Sequence, residues 1–156
     1  MTGFYNACIA ARKAVKPART EQFLARLDQL RLARAFVERF CEEYALPRDA
    51  CLRLNLVVEE LFTNTVRHGH RGDCDAPVWV GLSRCDDIVQ LVYEDKAPPF
   101  NPYSAIVEAS VRVPETSVNM RRIGGLGVLL TKELAKTRDY AYVFGRNRIR
   151  LTLAPA

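Results

Sequence analysis

The residues most able to do chemistry fall into three clusters. The first is Glu59-Glu60-Leu61-Phe62-Thr63-Asn64-Thr65-Val66-Arg67-His68-Gly69. Glu60, Asn64 and His68 are four apart, so on a helix they share a face. Their neighbours Leu56, Val57, Leu61 and Phe62 are apolar, which sets Glu60 and Asn64 beside a buried stripe. A carboxylate and an amide at that margin are costly unless something binds them. An Asn carbonyl is a hard oxygen ligand of the sort Mg²⁺ uses when phosphates supply the rest of its shell. A Glu one turn away can accept a proton from an attacking hydroxyl or water. Taken alone, the cluster reads more readily as a polar pair that caps a neighbouring element or faces solvent.

The second cluster, Tyr93-Glu94-Asp95-Lys96-Ala97-Pro98-Pro99-Phe100-Asn101-Pro102, follows a β-rich run. A carboxylate leaving a strand into a rigid turn is placed to meet a ligand. It only accepts hydrogen bonds, which matches the exocyclic amine of adenine and opposes the carbonyl that guanine has there. An ordinary solvated turn with a local Asp95–backbone bond explains the same residues. The third cluster, Arg121-Arg122-Ile123-Gly124-Gly125-Leu126-Gly127-Val128, is a glycine-rich entry to a helix. Glycines allow close backbone approach to phosphate, helix N-terminal amides bind anions, and the arginines add charge-assisted donors. A tight turn accounts for GGLG equally well.

The elements that must position these clusters follow from periodicity. Apolar residues from Phe23 to Tyr44 recur at helical spacing, with Thr20 as N-cap. Pro47 and Asp49 open a second helix through about Arg67, ended by Gly69. Pro77–Leu82 and Ile88–Tyr93 read as an antiparallel pair, and Asp139–Phe144 with Arg148–Leu153 as a hairpin turning at Gly145-Arg146-Asn147. A third helix is expected from Gly124 to Lys136, and an edge strand within Phe4–Val15. Three prolines keep the segment from Asp95 to Pro102 irregular, and residues 103–123 read as a short helix and then a polar stretch without periodicity, as functional loops often are. This segregated order predicts an α+β fold, a two-layer sandwich of a mixed, mainly antiparallel sheet with helices on one face.

Half the residues are hydrophobic (49%) and a quarter charged (26%), the balance of one globular domain over residues 1–156. The five cysteines (Cys8, Cys41, Cys51, Cys74 and Cys85) form no CxxC pair or metal-like spacing and read as thiols of a reducing compartment. No membrane-length apolar run or signal-like h-region occurs, so neither membrane association nor export is expected. A net charge of +5 suits an anionic ligand or acidic partner, and no basic stripe interleaved with aromatics points to nucleic acid.

In their order, the clusters run from a helix with E-x-x-x-N to a strand with D-x-A-x-x-F, then a long loop, then GGLG into a helix. This arrangement resembles the N, G1 and G2 boxes of the GHKL ATPases. Within them it is similar to the anti-sigma-factor serine kinases of bacterial partner-switching systems, over about residues 20 to 153. Gly145-Arg146-Asn147-Arg148-Ile149-Arg150-Leu151 also resembles that family's closing hairpin. The resemblance implies ATP and Mg²⁺, with Glu60 as general base, preferred over Glu59 because the base precedes its Asn by four. It implies Asn64 as the Mg²⁺ ligand and Asp95 as the adenine-amine acceptor, in a turn lined by Ala97 and Phe100. Gly124, Gly125, Leu126 and Gly127 shape the phosphate side, Arg122 is a cationic anchor, and residues 103–123 form an ATP lid. Ala97 replaces the usual glycine, Asn101 a frequent Asp, and Ile123 stands where a lid arginine is common.

The implied function is an ATP-dependent serine/threonine kinase that acts as an anti-sigma factor in the cytoplasm. Its partners are a STAS-type anti-anti-sigma antagonist, which it phosphorylates, and a sigma factor or equivalent regulator, with homodimers common in the family. The alternative is a non-catalytic, nucleotide-dependent protein-binding switch with the same ATP site. The segment from Gln22 to Arg34, with Arg26, Arg31 and Arg34, is expected to form part of a shared partner surface.

Overall fold

The computed structural model describes residues 18–104 and 135–154. Over these the chain runs β1 (Arg19–Leu24), a 3-10 turn at Leu27–Gln29, α1 (Leu30–Glu43), α2 (Arg48–Asn64) and a π-helical turn at Thr65–Gly69. It continues through β2 (Pro77–Cys85), β3 (Ile88–Asp95), β4 (Thr137–Val143) and β5 (Arg146–Leu153). The strands lie in the order β1-β2-β3-β5-β4, every pairing antiparallel, and α1 and α2 cover one face. The fold is α+β, a two-layer sandwich. Among the described residues no helix is long and apolar enough to cross a membrane.

Alternation along the strands builds the layer between sheet and helices. Val78, Val80 and Leu82 of β2, Val89, Leu91 and Tyr93 of β3, and Ile149, Leu151 and Leu153 of β5 all point inward and are buried. From the helices come Ala33, Phe36, Val37, Phe40 and Cys41 of α1 and Leu54, Val57, Val58, Leu61 and Phe62 of α2. Full burial of Phe62 alone stabilises by roughly 1.5–3 kcal/mol. Helix α1 stops at a Schellman turn: Leu46 N donates to Cys41 O (2.9 Å) and Ala45 N to Glu42 O (3.1 Å), with Ala45 at φ 47°.

Two local expectations give way. The helix expected from Thr20 starts only at Leu30, because Arg19–Leu24 is the edge strand β1, paired from Arg19↔Leu82 to Leu24↔Pro77. The spacing of Phe23, Leu27 and Leu30 fits a helix, yet a strand, a turn and a helix start satisfy it together. Long-range partners decide. Phe23 packs its ring near Phe36 and Phe62 (centroids 6.4 and 6.5 Å), Ala25 N donates to Ala76 O (2.8 Å), and Leu27 N donates to Asp73 Oδ1 (2.9 Å). The segment from Gln22 to Arg34 is therefore an edge strand, a 3-10 turn and only then a helix start, on which Arg31 and Arg34 are exposed. Arg26 is engaged by Asp75 (2.6 Å), and Arg34 lies 3.8 Å from Glu59.

The closing hairpin turns at Phe144-Gly145, one residue earlier than expected, with Val143 opposite Arg146. Both turn residues have positive φ (53° and 72°), as a two-residue type I′ turn requires. Arg146 and Asn147 thus belong to β5 itself. The expected Phe4–Val15 strand, the third helix up to residue 134, nearly all of the lid, Arg122 and Gly124, Gly125, Leu126 and Gly127 lie outside the described residues, while Ala135 and Lys136 at the expected helix end are not helical.

Candidate functional site

The site is assembled where the end of α2 meets the end of β3. Asn64 closes the regular part of α2, and the next five residues widen into a π turn, in which His70 N donates to Thr65 O (2.9 Å). Single π turns of this kind often mark functional positions in helices. Asn64 Nδ2 donates to Glu60 Oε1 (3.2 Å), one turn back, and both side chains are half-buried. That bond fixes the amide by its nitrogen and leaves Oδ1, which no other described residue bonds, as a hard oxygen ligand. The neighbouring acid, Glu59, points instead toward Arg34 on α1. Two adjacent carboxylates are thus separated, one to the interhelical surface and one to the margin of the site. Arg67 and His68 are exposed.

On β3 the same separation comes from the strand pleat. Glu94 faces away from the helices and is paired by Arg146 (3.3 Å) and Arg148, while Arg146 also stacks 3.6 Å over the Trp79 ring. Asp95 faces the helices, 6% exposed, in the inward row of Val89, Leu91 and Tyr93. Its Oδ2 lies 2.7 Å from Thr65 Oγ1, and its Oδ1 accepts from Ala97 N (2.9 Å) and from Asn147 Nδ2 (2.8 Å). Among the described residues no cation pairs with it. A carboxylate buried on neutral donors alone is expensive to maintain without a further role.

Thr65 joins the two clusters. Its hydroxyl is also 2.8 Å from Tyr93 Oη and 3.0 Å from Leu61 O. A hydroxyl has one proton, and the charged Asp95 is the strongest of these acceptors, so Tyr93 donates to Thr65 and Thr65 to Asp95. Burial, and then the negative charge of Asp95, raises the Tyr93 pKa well above its ordinary value, which keeps the phenol protonated as a donor. The turn after β3 seats against the π turn: a Cβ placed on Gly69 would lie 2.7 Å from Cβ of Ala97. Ala97 is buried, whereas Phe100 is 62% exposed. Asn101, in place of a frequent Asp, accepts from Tyr103 N through Oδ1 (2.9 Å) and so closes a local turn that an Asp would close as well.

The structure therefore brings the first and second clusters together through Thr65–Asp95 and Gly69–Ala97. The third lies outside the described residues. Sequence reasoning assigned no role to Thr65 or Asn147. The available signal for Asn147 was its place at the head of the inward row Ile149, Leu151 and Leu153, where a polar residue needs a partner. Among the described residues no three His, Cys, Asp or Glu side chains gather as a metal site. The donors present, one Asn carbonyl beside one carboxylate, fit a cation that brings most of its oxygen ligands with it. The buried Asp95 fits a ligand that presents a hydrogen-bond donor.

The histidine kinase-like ATPase domain model matches residues 23–153. The chain is 25% identical over 115 residues to proteins named serine-protein kinase RsbW from Listeria monocytogenes serotype 4a and Listeria innocua serovar 6a, covering 74% of this chain and 73% of theirs. Its fold is similar to the crystal structure of the RsbU and RsbW domains of a Mycobacterium tuberculosis protein, with a TM-score of 0.59 and 16% identity. That match covers 89% of this chain but only 32% of the larger one. Motif order, fold and family match agree: the chain belongs to the histidine kinase-like ATPase domain family, with RsbW serine-protein kinases among its relatives.

Proposed function

We propose that this chain is an ATP-dependent serine/threonine protein kinase that acts as a cytoplasmic anti-sigma factor and phosphorylates a STAS-type anti-anti-sigma antagonist. The observation that carries the nucleotide part is Asp95, a buried carboxylate at the end of β3 that, among the described residues, is held by neutral donors alone. Its acceptor-only chemistry suits the adenine amine. The kinase part is supported by the RsbW relatives and by the Glu60–Asn64 pair.

Asn64 Oδ1 would hold Mg²⁺ beside the phosphates, and Ala97 and Phe100 would line the adenine turn. Mg²⁺, when bound with the nucleotide, neutralises phosphate charge. The antagonist's Ser or Thr oxygen bonds to the γ-phosphorus as that phosphorus parts from the β,γ-bridging oxygen. Glu60 takes the hydroxyl proton, and ADP leaves. A phosphate on the antagonist adds nearly two negative charges, which disrupts its contact with the kinase and frees the surface for the sigma factor.

Incubation with γ-labelled ATP, Mg²⁺ and candidate STAS proteins tests the proposal. Label is expected on a Ser or Thr of the authentic antagonist, and Glu60→Gln is expected to slow its transfer by about 10²–10⁴-fold. Retained ATP binding with no transfer to any candidate would favour a non-catalytic nucleotide switch instead.

A further inference from the structure

Asn147 satisfies more of the site than any residue the motifs single out. It is 5% exposed and lies directly across from Asp95 in the β3–β5 register. Its Nδ2 lies 2.8 Å from Asp95 Oδ1, 3.0 Å from Ala97 O and 3.2 Å from Pro98 O. Its Oδ1 accepts from Phe100 N (3.0 Å) and Tyr140 Oη (2.7 Å). An amide offers two N–H groups and two lone pairs, so its full capacity is in use. Flipping the amide would set Oδ1 against a carboxylate and two carbonyls, and Nδ2 against two donors. The network permits one orientation.

This side chain does what the turn cannot do for itself. Pro98 and Pro99 have no N–H, which leaves the turn short of internal donors. The carbonyls of Ala97 and Pro98 and the amide of Phe100 find their partner on β5 instead. The clamp also decides how Asp95 presents itself. Oδ1 has two acceptor sites, and Ala97 N and Asn147 Nδ2 fill both. Oδ2 takes Thr65 and, among the described residues, keeps one site open.

We propose that Asn147 is a positioning residue for nucleotide selectivity: it clamps the turn after β3 and saturates Asp95 Oδ1, so that Oδ2 alone meets the ligand's amine. The proposal rests on the nucleotide reading of the site. A Ser or Thr hydroxyl has a single proton and cannot serve both Asp95 Oδ1 and the carbonyls of Ala97 and Pro98, as the Asn147 amide does. An Asp at this position would set a second carboxylate against Asp95.

The test uses the full chain with Asn147→Leu and Tyr140→Phe, the latter keeping the amide but removing one bond that orients it. ATP and GTP affinities are measured by calorimetry with Mg²⁺, alongside thermal unfolding. Asn147→Leu is expected to lower the ATP-to-GTP affinity ratio by about tenfold or more, by weakening ATP and sparing GTP, the loss of one bond to a charged group. Tyr140→Phe is expected to lower it several-fold, and decides the matter if Asn147→Leu does not fold. A purely structural role would lower the melting temperature or weaken both nucleotides alike, so an unchanged ratio in a folded variant overturns the proposal. A parent chain that binds neither nucleotide overturns the reading beneath it as well.

Discussion

Gly69 and Ala97 are in contact across the site: any side chain on Gly69 would put its Cβ 2.7 Å from the methyl of Ala97. The π turn and the turn after β3 thus share one small space, and only one of the two positions can carry a methyl. This gives the replacement of the usual glycine by Ala97 a structural setting, because Gly69 leaves room for it. Gly69→Ala should destabilise by about 1–3 kcal/mol through overpacking. Ala97→Gly on that background should recover much of the loss, whereas on the parent it removes a buried methyl and costs about 1 kcal/mol. Denaturant unfolding of the two single variants and the double variant checks this. Additive effects would mean that the contact carries no coupling.

Thr65→Val keeps the shape of the side chain but removes the donor to Asp95 and the acceptor for Tyr93. With both partners buried, the expected cost is about 1–3 kcal/mol, and ATP affinity should fall with it. Thr65→Ser, which keeps the hydroxyl, should stay close to the parent in both. Unfolding midpoints and ATP titration separate the two variants; equal behaviour would show that the hydroxyl does not order Asp95.

Tyr93 makes a pH prediction. Its folded pKa is raised by burial and by Asp95, so the native state holds the phenolic proton more tightly than the unfolded chain does. That stabilisation is complete below the ordinary tyrosine pKa of about 10 and is lost as pH rises above it toward the folded value. Stability should fall on the alkaline side with a slope of up to about 1.4 kcal/mol per pH unit from this group. Tyr93→Phe should make that limb shallower, with Tyr140 and the Cys41 thiol, both also raised by burial, contributing to what remains. Unfolding curves between pH 8 and 11 (roughly two units below to one unit above that ordinary value) provide the measurement.

Glu60 and Asn64 should separate chemistry from binding. Glu60→Gln keeps a side-chain oxygen for Asn64 Nδ2 but cannot take a proton, so phosphoryl transfer should drop by about 10²–10⁴-fold with nucleotide affinity preserved. Asn64→Ala should instead weaken Mg²⁺-dependent nucleotide binding. Single-turnover transfer and calorimetry distinguish them, and a parental rate in Glu60→Gln would remove Glu60 from the role of base.

What the sequence made legible follows from how local each signal is. The four-residue spacing of Glu60 and Asn64 reports one helix face, and α2 with β2 and β3 appears where periodicity and turn residues place it. β1 was hidden because Phe23 and Leu24 continue the helical spacing of α1, while the facts that make it a strand lie some 55 residues further on in β2. Asn147 was hidden for a related reason. Its role depends on the hairpin turning at Phe144-Gly145, and a shift of one residue sends a strand side chain to the opposite face.

Calorimetric comparison of ATP and GTP, each with Mg²⁺, on the parent chain and on Asp95→Asn tests the central claim most directly. Asp95 can accept from the adenine amine but would confront the guanine carbonyl with its own lone pairs. The parent should therefore prefer ATP, and Asp95→Asn, by losing a charge-assisted bond, should give up roughly 1.5–3 kcal/mol of ATP affinity and most of the preference. Equal affinity of the parent for ATP and GTP would contradict the account.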